Sequence, residues 1–222
     1  MKVTTLRTLV GLTTPLILTG SVQAGFLGIS TVSKPNEFGL LVCNVYAEFD
    51  RPGQDHMEFV YGSTSFPLLI EVIGGTFYQH AFGSDQAPGT TLINAFPSLA
   101  YDTFVTIAVK AVGPGGQPDD GLVLNIGWPG FGESSLEFTN GGYGIVPGPQ
   151  SDPFNPLYFA GDGRVLIAQY STADGSAIQG TMVLSYVSNG IAIDSAVSFY
   201  HVPGPGSLWL LGAAGLLGRR RR

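Results

Sequence analysis

The stretch A-I-Q-G-T-M-V-L-S-Y-V-S-N-G-I-A-I-D-S-A-V-S-F-Y, residues 177–200, decides the fold class. Two runs rich in β-branched and aromatic residues, 177–187 and 191–200, stand on either side of Asn189-Gly190. Both turn residues tolerate positive φ, which a two-residue hairpin requires at its centre. The spacing predicts two antiparallel strands joined by a tight turn.

Outward from this hairpin the same composition recurs. Residues 39–49, G-L-L-V-C-N-V-Y-A-E-F, read as a strand closed by the turn Asp50-Arg51-Pro52-Gly53. A short strand is expected at 56–61, and a hairpin of 67–73 with 76–82 around Gly74-Gly75. The run 104–112 alternates in F-V-T-I-A-V-K-A-V and leads into a turn-rich loop, 113–121. Short strands follow at 122–126 and 135–139, with Gly127-Trp128-Pro129-Gly130 breaking the ladder between them. Residues 141–156 read as a long Gly/Pro-rich loop, and 164–170 as one more strand. Only the tail carries helical periodicity at useful length. With 32 glycines and 15 prolines between short alternating runs, the body predicts a single all-β domain, a jelly-roll-like β-sandwich over 25–201.

Charge separates the body from the two ends. Lys2, Arg7 and Arg219 to Arg222 lie in the terminal segments, leaving Lys34, Arg51, Lys110 and Arg164 in the body. Against these four stand all 16 carboxylates, a formal charge of −12. Nucleic acid would be repelled by such a surface, whereas divalent cations would be attracted. The single cysteine, Cys43 in L-L-V-C-N-V-Y, rules out an intramolecular disulfide and reads as a buried small apolar residue.

Residues 1–24 have the three parts of a secretory signal peptide: a positive start with Lys2 and Arg7, an apolar run over 9–18, and Val22-Gln23-Ala24 before a cut at Gly25. No cysteine follows that cut, so a lipid anchor is not expected. The other end, V-P-G-P-G-S-L-W-L-L-G-A-A-G-L-L-G-R-R-R-R over 202–222, is an extended linker, an apolar run and four arginines. As a helix, residues 208–218 would span roughly 17 Å against about 30 Å of hydrocarbon, a short and weak anchor. The arginines place the extreme C-terminus on the cytoplasmic side and the body outside.

This tail resembles the PEP-CTERM sorting signal of exported bacterial proteins. Val202, Pro203 and Pro205 match its short motif, with Gly204 where that family usually has glutamate. Leu208, Trp209, Leu210, Leu211, Leu216 and Leu217 supply the apolar helix, and Arg219, Arg220, Arg221 and Arg222 the basic end. The resemblance implies an exosortase-like membrane protease that reads the motif and removes the tail. It also implies transient residence at the inner membrane and a destination among exopolysaccharide and biofilm components.

Catalytic signatures are sparse. The motifs G-x-S-x-G, H-E-x-x-H, G-x-x-x-x-G-K and paired C-x-x-C are all missing. Asp50, Asp55, His56 and Glu58 form the densest ionisable group, and on a strand His56 and Glu58 share a face. They are candidate metal ligands or an acid/base pair, set against the plainer reading of a turn and strand entrance. Asp119-Asp120-Gly121, Asp162-Gly163 and Asp174-Gly175 offer carboxylates for Ca²⁺, yet Asp-Gly also closes turns and the spaced ligands of a calcium loop are missing. Phe77, Tyr78, Trp128, Tyr143 and Tyr158 are candidates for stacking on sugar rings, weighed against places in the core. The expectation is a non-catalytic structural or adhesive protein of the cell envelope or extracellular matrix. The alternative is a secreted carbohydrate-binding or glycoside-cleaving enzyme, which requires two carboxylates converging in a cleft.

Overall fold

The computed structural model describes residues 25–51, 55–113, 122–145, 163–173 and 176–202. The leader over 1–24, Pro203, Gly204, Pro205 and the tail to Arg222 lie outside the described residues, as do Asp119, Asp120, Asp162, Asp174, Tyr158 and most of the 113–121 loop. Among the described residues no helix is long and apolar enough to cross a membrane.

Eleven strands are present among them: β1 (Phe26–Pro35), β2 (Leu40–Phe49), β3 (His56–Gly62), β4 (Leu68–Ile73), β5 (Phe104–Val105), β6 (Leu122–Leu124), β7 (Ser135–Phe138), β8 (Gly141–Ile145), β9 (Arg164–Ala173), β10 (Ala177–Ser188) and β11 (Ile191–His201). They form two sheets, one in the order β1-β2-β9-β5 and a larger one built on β10. Along one edge β10 pairs with β11 from Ile178↔His201 to Ser188↔Ile191. Its other edge is shared: β3 takes residues 183–187 and β4 takes 177–181. The larger sheet therefore forks, with β8 and β6 continuing beyond β3 and β7 beyond β4.

The hairpin turn is where the sequence places it. Asn189 has φ 53° and Gly190 φ 74°, the left-handed pair that a twisted two-residue turn needs. Apolar inner faces then close the sandwich: Cys43, Val45 and Ala47 of β2 and Val165 and Ile167 of β9 share one core with Met57, Ile70, Ile178, Met182 and Leu184 of the larger sheet. Each large side chain so buried contributes about 1.5–3 kcal/mol.

Five segments differ from expectation. Residues 76–82 form no strand beside β4, because β4 already has β10 on one edge and β7 on the other. Phe77 makes a single bridge to Thr172 instead. The 104–112 run is a strand only at Phe104–Val105, with a lone bridge from Val112 to Gly89 further on; Ala108 has φ 79°, which breaks the extension, and the Thr106 hydroxyl donates to the Val109 carbonyl at 2.7 Å. The expected loop at 141–156 begins as a strand, β8, and an unforeseen strand, β1, precedes β2. One six-residue helix, α1 (Thr90–Ala95), buries none of its residues, so it leaves no apolar stripe to read.

Candidate functional site

Because side chains alternate across a strand, residues 179, 181, 183 and 185 of β10 all face away from the core. Around Ser185 the ladder aligns a row across five strands. Asp194 of β11 lies opposite Ser185, Ser185 opposite Phe59 of β3, Phe59 opposite Gly144 of β8, and Gly144 opposite Val123 of β6. In the next row Tyr61 faces Gly142.

These two glycines shape the surface. A Cβ at Gly144 would meet Phe59 Cδ1 at 2.0 Å, and one at Gly142 would meet the Val60 carbonyl oxygen at 1.9 Å and Tyr61 Cβ at 2.8 Å. With no side chains on β8 facing out, Phe59 lies over the bare backbone, and 43% of its surface is exposed. Tyr143, between them, points inward, where its hydroxyl donates to the Ile167 carbonyl at 2.8 Å. The result is a groove of about 790 Å³ floored by β8, with Phe59, Tyr61, Val123 and Ile126 as apolar surface and Asn125, Asn140, Ser185 and Asp194 as polar groups. Burial first, and then the Asp194 carboxylate that it hydrogen-bonds, raise the Tyr61 phenol above its ordinary pKa.

Further along the same face is a smaller hollow of about 400 Å³, lined by Glu71, Gln179, Thr181, Ser198 and Tyr200 among others. Gln179 Nε2 donates to Glu71 Oε2 at 2.7 Å, and 61% of Tyr200 is exposed. From Gln179 to Ser185, six residues along β10, the two hollows are roughly 20 Å apart at about 3.4 Å per residue. Among the described residues no lysine or arginine lines either one.

The expected ionisable group is organised otherwise than as a metal centre. Arg51 Nη2 pairs with Asp55 Oδ1 at 2.8 Å and Arg51 Nε with Asp50 Oδ1 at 3.5 Å, so a guanidinium occupies the middle of the cluster. Asp55 and His56 are buried rather than at an open turn. His56 and Glu58 do share a face, with Nε2 and Oε1 3.6 Å apart. Among the described residues no three His, Cys, Asp or Glu side chains are grouped to hold a metal ion. Val202 is described and exposed, and Gly25 is buried beside Asp55; the other residues of both processing signals lie outside the described residues.

Of the aromatics proposed for sugar stacking, Phe77 and Tyr143 are core and Tyr78 is half-buried. Trp128 packs edge-on against Phe138 and Tyr143 while its indole N–H donates to Asp85 at 2.9 Å. Sequence reasoning passed over Phe59, Tyr61 and Tyr200. The signal for the first two was present as G-G-Y-G, since outward glycines on one strand invite aromatic rings from its neighbour. No family model matches the chain, and neither does any curated protein or solved structure.

Proposed function

We propose that this chain is an exported, non-catalytic protein of the cell envelope or extracellular matrix that binds a neutral glycan on the outer face of its larger sheet. A leader helix over 1–24 directs export. A short C-terminal membrane helix, Leu208 to Leu217 with Arg219 to Arg222 behind it, holds the protein at the inner membrane until an exosortase-like enzyme cuts near 202–207. Exopolysaccharide is the partner this destination implies.

One observation carries the glycan reading: Phe59 and Tyr61 lie on a glycine-bared strand, bordered by Asn125, Asn140 and Asp194. Sugars present apolar ring faces and a rim of hydroxyls, so they suit aromatic surface with a few fixed polar groups. Neutral polymers are favoured over acidic ones because the face carries Asp194 and Glu71 and, among the described residues, no lining cation. Binding is favoured over hydrolysis by separation. Among the described residues Asp194 is the one carboxylate lining the larger groove, and Glu71 sits roughly 20 Å away, whereas glycosidases hold their pair about 5–9.5 Å apart.

The test is retention on immobilised neutral and uronic-acid polysaccharides, with Phe59→Ala and Tyr61→Ala as variants. Specific retention on the neutral polymer, lost in both variants without loss of fold, is expected. Release of reducing ends that stops on Asp194→Asn would instead establish the carbohydrate-active enzyme. Processing is tested separately, by intact mass of the protein from its native host. Termini at Gly25 and within 202–207 are expected, and a surface form that retains Arg222 would remove the exosortase step.

A further inference from the structure

We infer that Asp55 is the seat for the α-ammonium group of the mature chain, which begins at Gly25 once the leader is removed. The inference rests on the leader cleavage proposed above and goes beyond it, because it gives the new terminus a structural task.

Gly25 is held from its C-terminal side. Its carbonyl accepts a hydrogen bond from the Asp50 N–H at 2.9 Å. Next to it Phe26 pairs with Phe49, and the Phe26 ring packs 5.8 Å from Phe49 and 5.3 Å from Tyr186, measured between centroids. These contacts fix the Gly25 Cα whatever precedes it. Glycine leaves the room needed there: a Cβ would lie 2.4 Å from Ser188 Oγ and 3.2 Å from Asp55 Oδ2. Leader peptidases read small residues before the cut, which gives no reason for a glycine after it. Close approach to Asp55 and Ser188 does give one. The Gly25 nitrogen shares that Cα and lies about 2.5 Å from the Cβ position, which bounds its separation from Asp55 Oδ2 at about 5.7 Å, within reach of an ammonium that turns about the Cα.

Asp55 lacks what an ammonium would bring. Its side chain is fully buried, and Arg51 satisfies Oδ1 at 2.8 Å, while buried Oδ2 has no hydrogen-bond partner among the described residues. A buried carboxylate oxygen left in that state is costly. Arg51 is also shared with Asp50, so two carboxylates face one guanidinium. In the precursor Gly25 contributes a neutral amide with one donor; after cleavage it contributes a cation with three. Removing the leader thus completes an ion-pair cluster that joins the start of β1 to the β10–β11 turn, where Ser188 and Asn189 also take hydrogen bonds from Arg51.

Residues 25–222 contain every described element, so the test uses that whole chain, released from a removable tag with Gly25 first. It is compared with the same chain carrying two extra serines ahead of Gly25, each also as Asp55→Asn. The free terminus should melt several degrees higher than the extended one, and the gap should vanish in Asp55→Asn. Equal melting of the two wild-type forms, or a gap that persists in Asp55→Asn, overturns the inference. Should Asp55→Asn fail to fold, amine labelling of the wild-type protein decides. An ion pair that raises the amino group one unit above its usual 7.7–8.0 leaves roughly tenfold less reactive amine at neutral pH. Labelling at the rate of an unstructured peptide terminus overturns the seat. Because Gly25 is made the first residue here, a negative result speaks against the seat alone, whereas a native terminus elsewhere speaks against the cleavage.

Discussion

Gly142 and Gly190 separate two reasons for using glycine. A Cβ at Gly142 would strike the Val60 carbonyl oxygen at 1.9 Å, and only a backbone shift would relieve it. Gly142→Ala is therefore expected to lower unfolding free energy in urea by about 1–3 kcal/mol, as overpacking does, and to weaken glycan retention along with it. Cys43 makes a different point. Its thiol is fully buried, and burial pushes its pKa up to about 12, so a thiol reagent at mildly alkaline pH should label it only after denaturation. Asp102 gives a pH signature. Burial raises its carboxyl from 3.8 to about 6, against the lowering effect of hydrogen bonds from the backbone of His80 and Thr103. The folded state then keeps the proton to higher pH than the unfolded chain does. This contribution is full below the unfolded value and disappears as pH rises through about 6. Asp102→Asn should consequently flatten the fall in stability between about pH 4 and pH 7, measured as the difference between the two urea midpoints across that window.

Among elements, the β10–β11 hairpin is the one read most directly, because two adjacent residues specify its turn. Nothing lies within 4 Å of a Cβ at Gly190, so Gly190→Ala isolates the strain of φ 74°. A loss of about 1 kcal/mol is expected, with the strand register unchanged by amide exchange. Elsewhere, alternation proved to report burial rather than pairing. Ile107 and Val109 are buried although the regular ladder stops at Val105: the Thr106 and Ala108 N–H groups still donate to the Ile167 and Leu166 carbonyls of β9, but the positive φ of Ala108 ends the strand geometry. The 76–82 segment fails for a reason no local pattern holds: both edges of its intended partner were taken by strands distant in sequence. The sequence pattern does not mark Phe59 and Tyr61, because the ladder slips between Ser185 and Tyr186, which leaves Glu58 out of the register with β10 and breaks the period of two. Their significance also depends on glycines contributed by β8, which sequence composition assigned to a loop.

At the scale of the molecule, the forked sheet sets two hollows along one face, each bordered by β10 and β11 and separated by the length of β10 from Gln179 to Ser185. A ligand filling only the Phe59–Tyr61 groove would gain from one of them; a longer chain would also reach Tyr200 and Thr181. Affinity for neutral oligosaccharides should therefore climb with length until the ligand spans roughly 20 Å and fills both hollows, then level off. Charge makes the complementary prediction. With 16 carboxylates across the body and no cation lining either hollow among the described residues, adding salt should leave neutral-glycan affinity nearly unchanged while easing the repulsion of uronic-acid polymers within a Debye length. Calorimetric titration of a length series at about 0.05 and 0.5 M salt measures both effects. Affinity that is flat with length, or that collapses at the higher salt, would mean that the two hollows do not act on one polymer.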